Sequence, residues 1–396
     1  MKKFVQLVIL LFAACAGAHA QVAPTATVGP ASLGYSFNYA QTSEFGSGLS
    51  DWQTIVATGR IDYRNGLRRL PFMLGYSGGY TWTIAGPPYS TGYYQHLLAS
   101  QGFVWRKSSI TFSDNVSYTP QAALNGFPGL PGVTPPPDQS VLTLKTRAVN
   151  NFVSANFLEK LTAGTTLNAS GGWGLMRFPD GNGINIDSKD VSAGVTQRLS
   201  ARNSLIGSYA FSQFSYPDYS LTLTSNTLYF GFNRNWNRKL TTGVSGGPQW
   251  ISGSNSALVP PSQNFAINAD LRYRLRTLSA GLIYTRGVSG GAGYLLGANA
   301  DIVGVNASRE LGRSLSIGVQ GTYRRIQGLN HNGVISSEDF AVQANKRISR
   351  HLTAFAGYTI INQGSTTALP GNVLTNVLQS ASFGFSYSRR DSQFVR

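Results

Sequence analysis

Leu315-Ser316-Ile317-Gly318-Val319-Gln320-Gly321-Thr322-Tyr323 reads as a strand with one apolar and one polar side. Leu315, Ile317, Val319 and Tyr323 share one face, while Ser316, Gly318, Gln320, Thr322 and Arg324 share the other. This alternation recurs over almost the whole chain after residue 31. Bounding it by Gly, Pro, Asn, Asp and Ser gives about 18 strands, from a core at 33–39 to one at 378–388. Soluble strands run about 5–6 residues, whereas a tilted membrane strand needs roughly 9–11, and most of these segments reach the longer figure.

The connections alternate in length. Short turns follow the even-numbered segments, as at Lys107-Ser108, Ser200 to Asn203, Asn237 to Leu240 and Ser349 to His351. Longer polar loops follow the odd ones, at 42–51, 85–93, 119–147, 179–188, 252–263, 288–297, 328–338 and 362–377. The turn at 64–71 is longer than this rule expects, and Pro217 to Ser220 is short for an outer loop. An even strand count, with both termini on the short-turn side, is the pattern of a bacterial outer-membrane barrel. The fold class expected is therefore all-β: a transmembrane antiparallel up-and-down β-barrel of about 18 strands, with 16 as the alternative. A propeller repeats at a similar interval but fits four short strands into each blade, and a soluble sandwich requires neither long strands nor loop asymmetry.

The N-terminus carries Lys2 and Lys3, an apolar run from Phe4 to Ala14, and Ala18-His19-Ala20 before Gln21. These are the parts of a cleaved secretory signal, and the run is too short for a spanning helix of roughly 20 residues. The expected organisation is a signal peptide over 1–20, a short periplasmic segment over 21–31 and one barrel domain over 32–396. Cys15, the only cysteine, falls in the removed part, which excludes cysteine chemistry. A competing reading makes Phe12-Ala13-Ala14-Cys15 a lipobox that retains Cys15 as an anchor.

Gly numbers 45, charged residues make up 12% and hydrophobic residues 42%, a composition for an ordered β-rich chain. The formal charge is +16, but an exported chain with scattered basic residues is not expected to bind nucleic acid. Outward faces read as Leu33, Tyr35, Phe37, Tyr39; Phe72, Leu74, Tyr76, Tyr80, Trp82; Phe265, Ile267, Leu271, Tyr273. Their Tyr and Trp suit the two membrane–water interfaces, so outer-membrane lipid is an expected partner.

The opposite faces describe a wet lumen, with Arg60, Asp62, Asp270, Arg272, Arg274, Arg276, Arg324 and Arg347 as the lining candidates. Arginine rings in a pore favour anions. The competing reading pairs them with Asp62, Asp190, Asp270, Asp301 and Asp339 to stiffen the wall. The loop at 119–147, rich in Pro and Gly, is a candidate constriction or a surface loop. Convergence of the inward Phe152, Phe355 and Met73 would instead block the lumen. His96, His331 and His351 show no catalytic or metal spacing, so neither an enzyme nor a cofactor is expected.

Ser382-Phe383-Gly384-Phe385-Ser386-Tyr387-Ser388 resembles the alternating aromatic signal read by the barrel-assembly machinery, with Phe383, Phe385 and Tyr387 carrying it; it departs from the usual form because residues 389–396 follow. With the repeated turns Arg198-Leu199-Ser200 and Arg347-Ile348-Ser349, the chain resembles the porin-like outer-membrane barrels of Gram-negative bacteria, including barrels associated with exopolysaccharide export. The resemblance implies a passive channel for small hydrophilic solutes or an accessory barrel handling polysaccharide.

Overall fold

The computed structural model describes residues 31–46, 51–65, 67–87, 91–119, 146–330, 333–366 and 376–391. The expected signal peptide, with Cys15, and His331 and nearly all of the 119–147 loop lie outside them. The first strands are β1 (Ser32–Gly46), β2 (Trp52–Arg64), β3 (Phe72–Ala85), β4 (Gly92–Val104), β5 (Ser108–Thr119) and β6 (Ala148–Lys160). Next come β7 (Thr165–Arg177), β8 (Ile186–Arg198), β9 (Asn203–Tyr216), β10 (Leu221–Asn235), β11 (Leu240–Gly253) and β12 (Ser262–Arg274). The remainder are β13 (Leu278–Ser289), β14 (Ala298–Leu311), β15 (Leu315–Gly328), β16 (Val334–Arg347), β17 (Leu352–Ser365) and β18 (Val377–Asp391).

Each strand pairs antiparallel with its sequence neighbours in one 18-stranded sheet, and β1 pairs with β18, so the sheet closes on itself. The expected all-β antiparallel barrel is therefore found. Closure matters physically because an open edge in lipid leaves backbone groups unsatisfied. The strands are 12 to 15 residues long, and β1 runs on to Gly46 where a loop had been expected from residue 42.

Register carries one parity from strand to strand, with a shift between Gln53 and Thr54 where β2 meets the end of β3. Tyr35, Phe37 and Tyr39 of β1 lie opposite Arg389, Tyr387 and Phe385 of β18, and all three β1 rings are exposed on the outside. Asn38, Ala40, Thr42 and Glu44 point the other way and are buried. Apolar side chains exposed on the outer surface of a barrel are what lipid contact requires.

The tight turns follow from local side-chain hydrogen bonds. Ser200 Oγ accepts from the N–H groups of Arg202 and Asn203, Ser349 Oγ from those of His351 and Leu352, and Asn237 Oδ1 from those of Lys239 and Leu240. Each reverses the chain in a few residues and keeps the next strand in register. The two exceptions to the length rule also have local causes. Asn65 donates to Leu70 O and accepts from Phe72 N, folding the wide turn after β2. The short connection after β9 is a single 3-10 turn, Pro217–Tyr219, ended by Ser220 in the left-handed region.

Gly384 shows how tightly the seam is drawn. A Cβ there would lie 2.0 Å from Tyr39 O on β1 and 2.7 Å from the Phe355 ring on β17. Gly384→Val is therefore expected to block closure, seen as loss of the folded, heat-modifiable band on a gel after refolding.

Candidate channel lumen and its constriction

Around the middle of the barrel the inner wall is mostly small and hydroxylated. Ser113 and Ser154 Oγ atoms lie 2.7 Å apart on β5 and β6, and Ser170 and Ser192 Oγ atoms 2.6 Å apart on β7 and β8. Asn156, Asn168 and Asn268 on the same wall are exposed, so the lumen is solvated at this depth. His96 also faces inward, with Nε2 2.8 Å from Asn115 Oδ1, as one more polar group of the wall.

Charge on this wall is organised in pairs. Arg60 Nε lies 2.7 Å from Asp62 on β2, and Arg272 Nε 3.0 Å from Asp270 on β12. Arg324 of β15 pairs with Asp339 of β16. These three are neutralised locally by carboxylates on the same face. Asp301 departs from its expected inward place, because it is on the outer face of β14 beside Arg286, at 3.7 Å. Asp190 is on the inner wall and has no ion pair among the described residues.

The other predicted lining cations sit at one end. Arg274 and Arg347 are the last residues of β12 and β16, exposed on the inward parity, and no carboxylate pairs with them among the described residues. Arg64 ends β2, and Arg198 ends β8, in the same way. Arg276 differs from expectation, since β12 stops at Arg274 and places it in the following turn. Strand alternation no longer fixes which way a residue points once the pairing ends.

The bulky inward residues do not converge. Phe152 on β6 lies against Gly172 and Gly174 of β7, and Phe355 on β17 lies against Gly384 of β18. Glycine on the neighbouring strand leaves a flat seat for a ring, which keeps the aromatic along the wall and out of the channel axis. Met73 is the second residue of β3, at the short-turn end.

The constriction is elsewhere, at the long-loop end. Met176, Ile186, Phe214, Tyr216, Leu221, Leu223 and Ile251 form a buried apolar cluster there with Phe178, Val259 and Leu329 from the loops. A second cluster joins Ala292 and Leu295 of the loop after β13 to Ala298, Ile326 and Ile335 of the wall. That loop, residues 290–297, is folded into the mouth. Tyr216 Oη donates to Gly290 O, Ile184 N to Gly293 O and Leu329 N to Gly297 O. Gly293 has φ +79°, and a Cβ would sit 2.4 Å from the Phe178 ring, so only glycine fits.

On the opposite arc the inward Thr42, Trp52, Thr54 and Thr81 are also almost fully buried. The lumen therefore passes from a solvated middle to a closely packed mouth. Sequence reading missed the 290–297 loop because its glycines look like ordinary loop material. The available signal was Tyr294-Leu295-Leu296, three large apolar residues in a loop, opposite strand ends such as Phe214 to Leu223 that are apolar on the inward parity.

No family model matches the chain, and no curated protein matches it. Among solved structures it is similar to Pseudomonas aeruginosa OccK9 (OpdG), at 10% identity over 91% of this chain and 98% of that one, with a TM-score of 0.50. It is also similar to Acinetobacter baumannii OccAB4, at 11% identity over 93% of this chain and 100% of that one, with a TM-score of 0.49. The likeness to OccK9 is one of fold. A closed 18-stranded sheet with an apolar, aromatic-rich exterior and a polar interior makes this chain an outer-membrane-type β-barrel.

Proposed function

We propose that the chain is a porin-like outer-membrane channel for passive diffusion of small hydrophilic solutes, with a preference for anions. The observation that carries this reading is the solvated, hydroxyl-lined wall of the barrel middle, from which the two inward phenylalanines are folded away against glycines. A barrel of about 18 strands is wide enough for an aqueous path. The short turns and both described chain ends support an orientation with that rim in the periplasm and the long loops outside. Nothing observed supports a polysaccharide-export role.

Anion preference is assigned to Arg64, Arg198, Arg274 and Arg347, whose charges face the water of the periplasmic vestibule and have no carboxylate partner among the described residues. Arg60, Arg272 and Arg324 contribute little net field while their aspartates remain. In a planar bilayer under a salt gradient, the wild-type reversal potential is expected to be anion-biased. Replacing the four vestibule arginines with Gln is expected to remove most of that bias with conducting steps retained; an unchanged bias would place the selectivity elsewhere. Phe383, Phe385 and Tyr387, exposed in a row on the lipid side of β18, are proposed as the assembly signal.

A further inference from the structure

The strand order sorts charge between the two rims. Arg68 and Arg69 lie between β2 and β3, Arg106 and Lys107 between β4 and β5, and Arg202 between β8 and β9. Arg238 and Lys239 follow β10, Arg276 follows β12, Arg313 follows β14 and Arg350 follows β16. Near this rim the acidic residues are Glu159, Glu310 and Asp62, which is held by Arg60, with Asp391 at the end of β18. At the other rim the outward cations are interleaved with acids: Arg177 pairs with Asp187, Arg286 with Asp301, and Glu338 stands on the strand beside Arg325.

Part of the basic rim faces lipid. Arg234, Arg309 and Lys346 are on the outward parity near the ends of β10, β14 and β16, and none has a carboxylate partner among the described residues. The Arg234 guanidinium stacks 4.0 Å from the Trp236 ring, with its Nε lacking an acceptor. At the same height Trp105, Trp236, Leu199 and Ile348 are each about half exposed or more, at 58%, 47%, 57% and 55%. Exposed rings and aliphatic chains beside unpaired cations fit the boundary between acyl chains and head groups.

From these features we infer that the periplasmic rim recognises anionic phospholipid head groups of the periplasmic leaflet, through Arg234, Arg309, Lys346 and the turn cations. The inference rests on the membrane orientation proposed above. Its occupant follows from shape: the cations recur in turn after turn around the circumference, and a lipid leaflet surrounds a barrel where a protein partner would touch one arc. Cations close to an anionic surface are attracted to it within about a Debye length, and salt weakens the effect. The outward cations thereby fix depth and orientation, while the inward ones serve the vestibule.

The full chain would be refolded into phosphatidylcholine vesicles with and without phosphatidylglycerol, and its refolding rate and heat-modification temperature read on gels at low and high salt. Phosphatidylglycerol is expected to speed refolding several-fold and raise the transition temperature, and high salt to cancel both gains. Arg234→Gln, Arg309→Gln and Lys346→Gln together are expected to remove most of the gain, while Gln at Arg64, Arg198, Arg274 and Arg347 preserves it. Equal behaviour in both vesicles, or full gain in the outward triple variant, overturns the inference. So does an equal gain from inorganic phosphate or polyglutamate added to neutral vesicles, which would mean a soluble anion or an acidic polypeptide as the partner. These readouts do not depend on conductance, so a silent but lipid-sensitive barrel would count against the channel reading alone.

Discussion

Replacing Gly290–Gly297 with a tight turn is expected to raise single-channel conductance several-fold and leave ion preference nearly unchanged. The loop fills the mouth from inside: Leu295 packs with Ile326 and Ile335, and neighbouring wall residues Phe214, Tyr216 and Leu223 are buried in the adjoining cluster. The mouth is the closely packed part of the path, whereas the charges that set preference stand at the opposite rim. The barrel is held by its hydrogen-bonded ladder around the full circle, so this loop is dispensable for closure. Leu223→Ala and Leu295→Ala offer a milder opening. Burying less apolar area at such sites costs about 2–5 kcal/mol in a soluble core, enough to loosen the loop. The expected signature is noisy current with frequent larger openings, and steps of wild-type size in all these variants would show that the mouth does not limit flow.

Asp339→Asn is expected to increase anion preference, and Arg324→Gln to shift it toward cations. The pair lies just inside the packed mouth, with side chains only 25% and 17% exposed, so solvent screens it less than the vestibule charges. An amide at Asp339 leaves Arg324 with an uncompensated charge. Two unit charges about 4 Å apart in water interact by about 1 kcal/mol, which enriches an anion beside the guanidinium by about fivefold. Asp62→Asn and Asp270→Asn act likewise on Arg60 and Arg272, more weakly because those pairs are more exposed. The shifts are to be read as reversal potentials at low and high salt, and the effect of Asp339→Asn is expected to fade as salt rises. A reversal potential that ignores all three changes would mean that permeating ions do not pass these pairs.

The fold was legible because period-two alternation and turn chemistry are local properties. Leu315 to Tyr323 declares both faces of β15, and Ser200 or Ser349 declares a tight turn by itself. Which lumen residues act together was less legible. Arg324 and Asp339 are on different strands, and their pairing depends on a register that sequence spacing alone does not set. Arg276 was misplaced because the end of β12 is decided by pairing with β11 and β13. The loop at 290–297 was hidden for a further reason: its burial depends on apolar strand ends from β9, β10 and β15 that are far away in sequence.

The most direct test of the central claim is single-channel recording of the refolded protein in a planar bilayer under a salt gradient. Stable conducting steps with an anion-biased reversal potential are the predicted result. A correctly folded, heat-modifiable barrel that carries no current, even with residues 290–297 shortened, would contradict it.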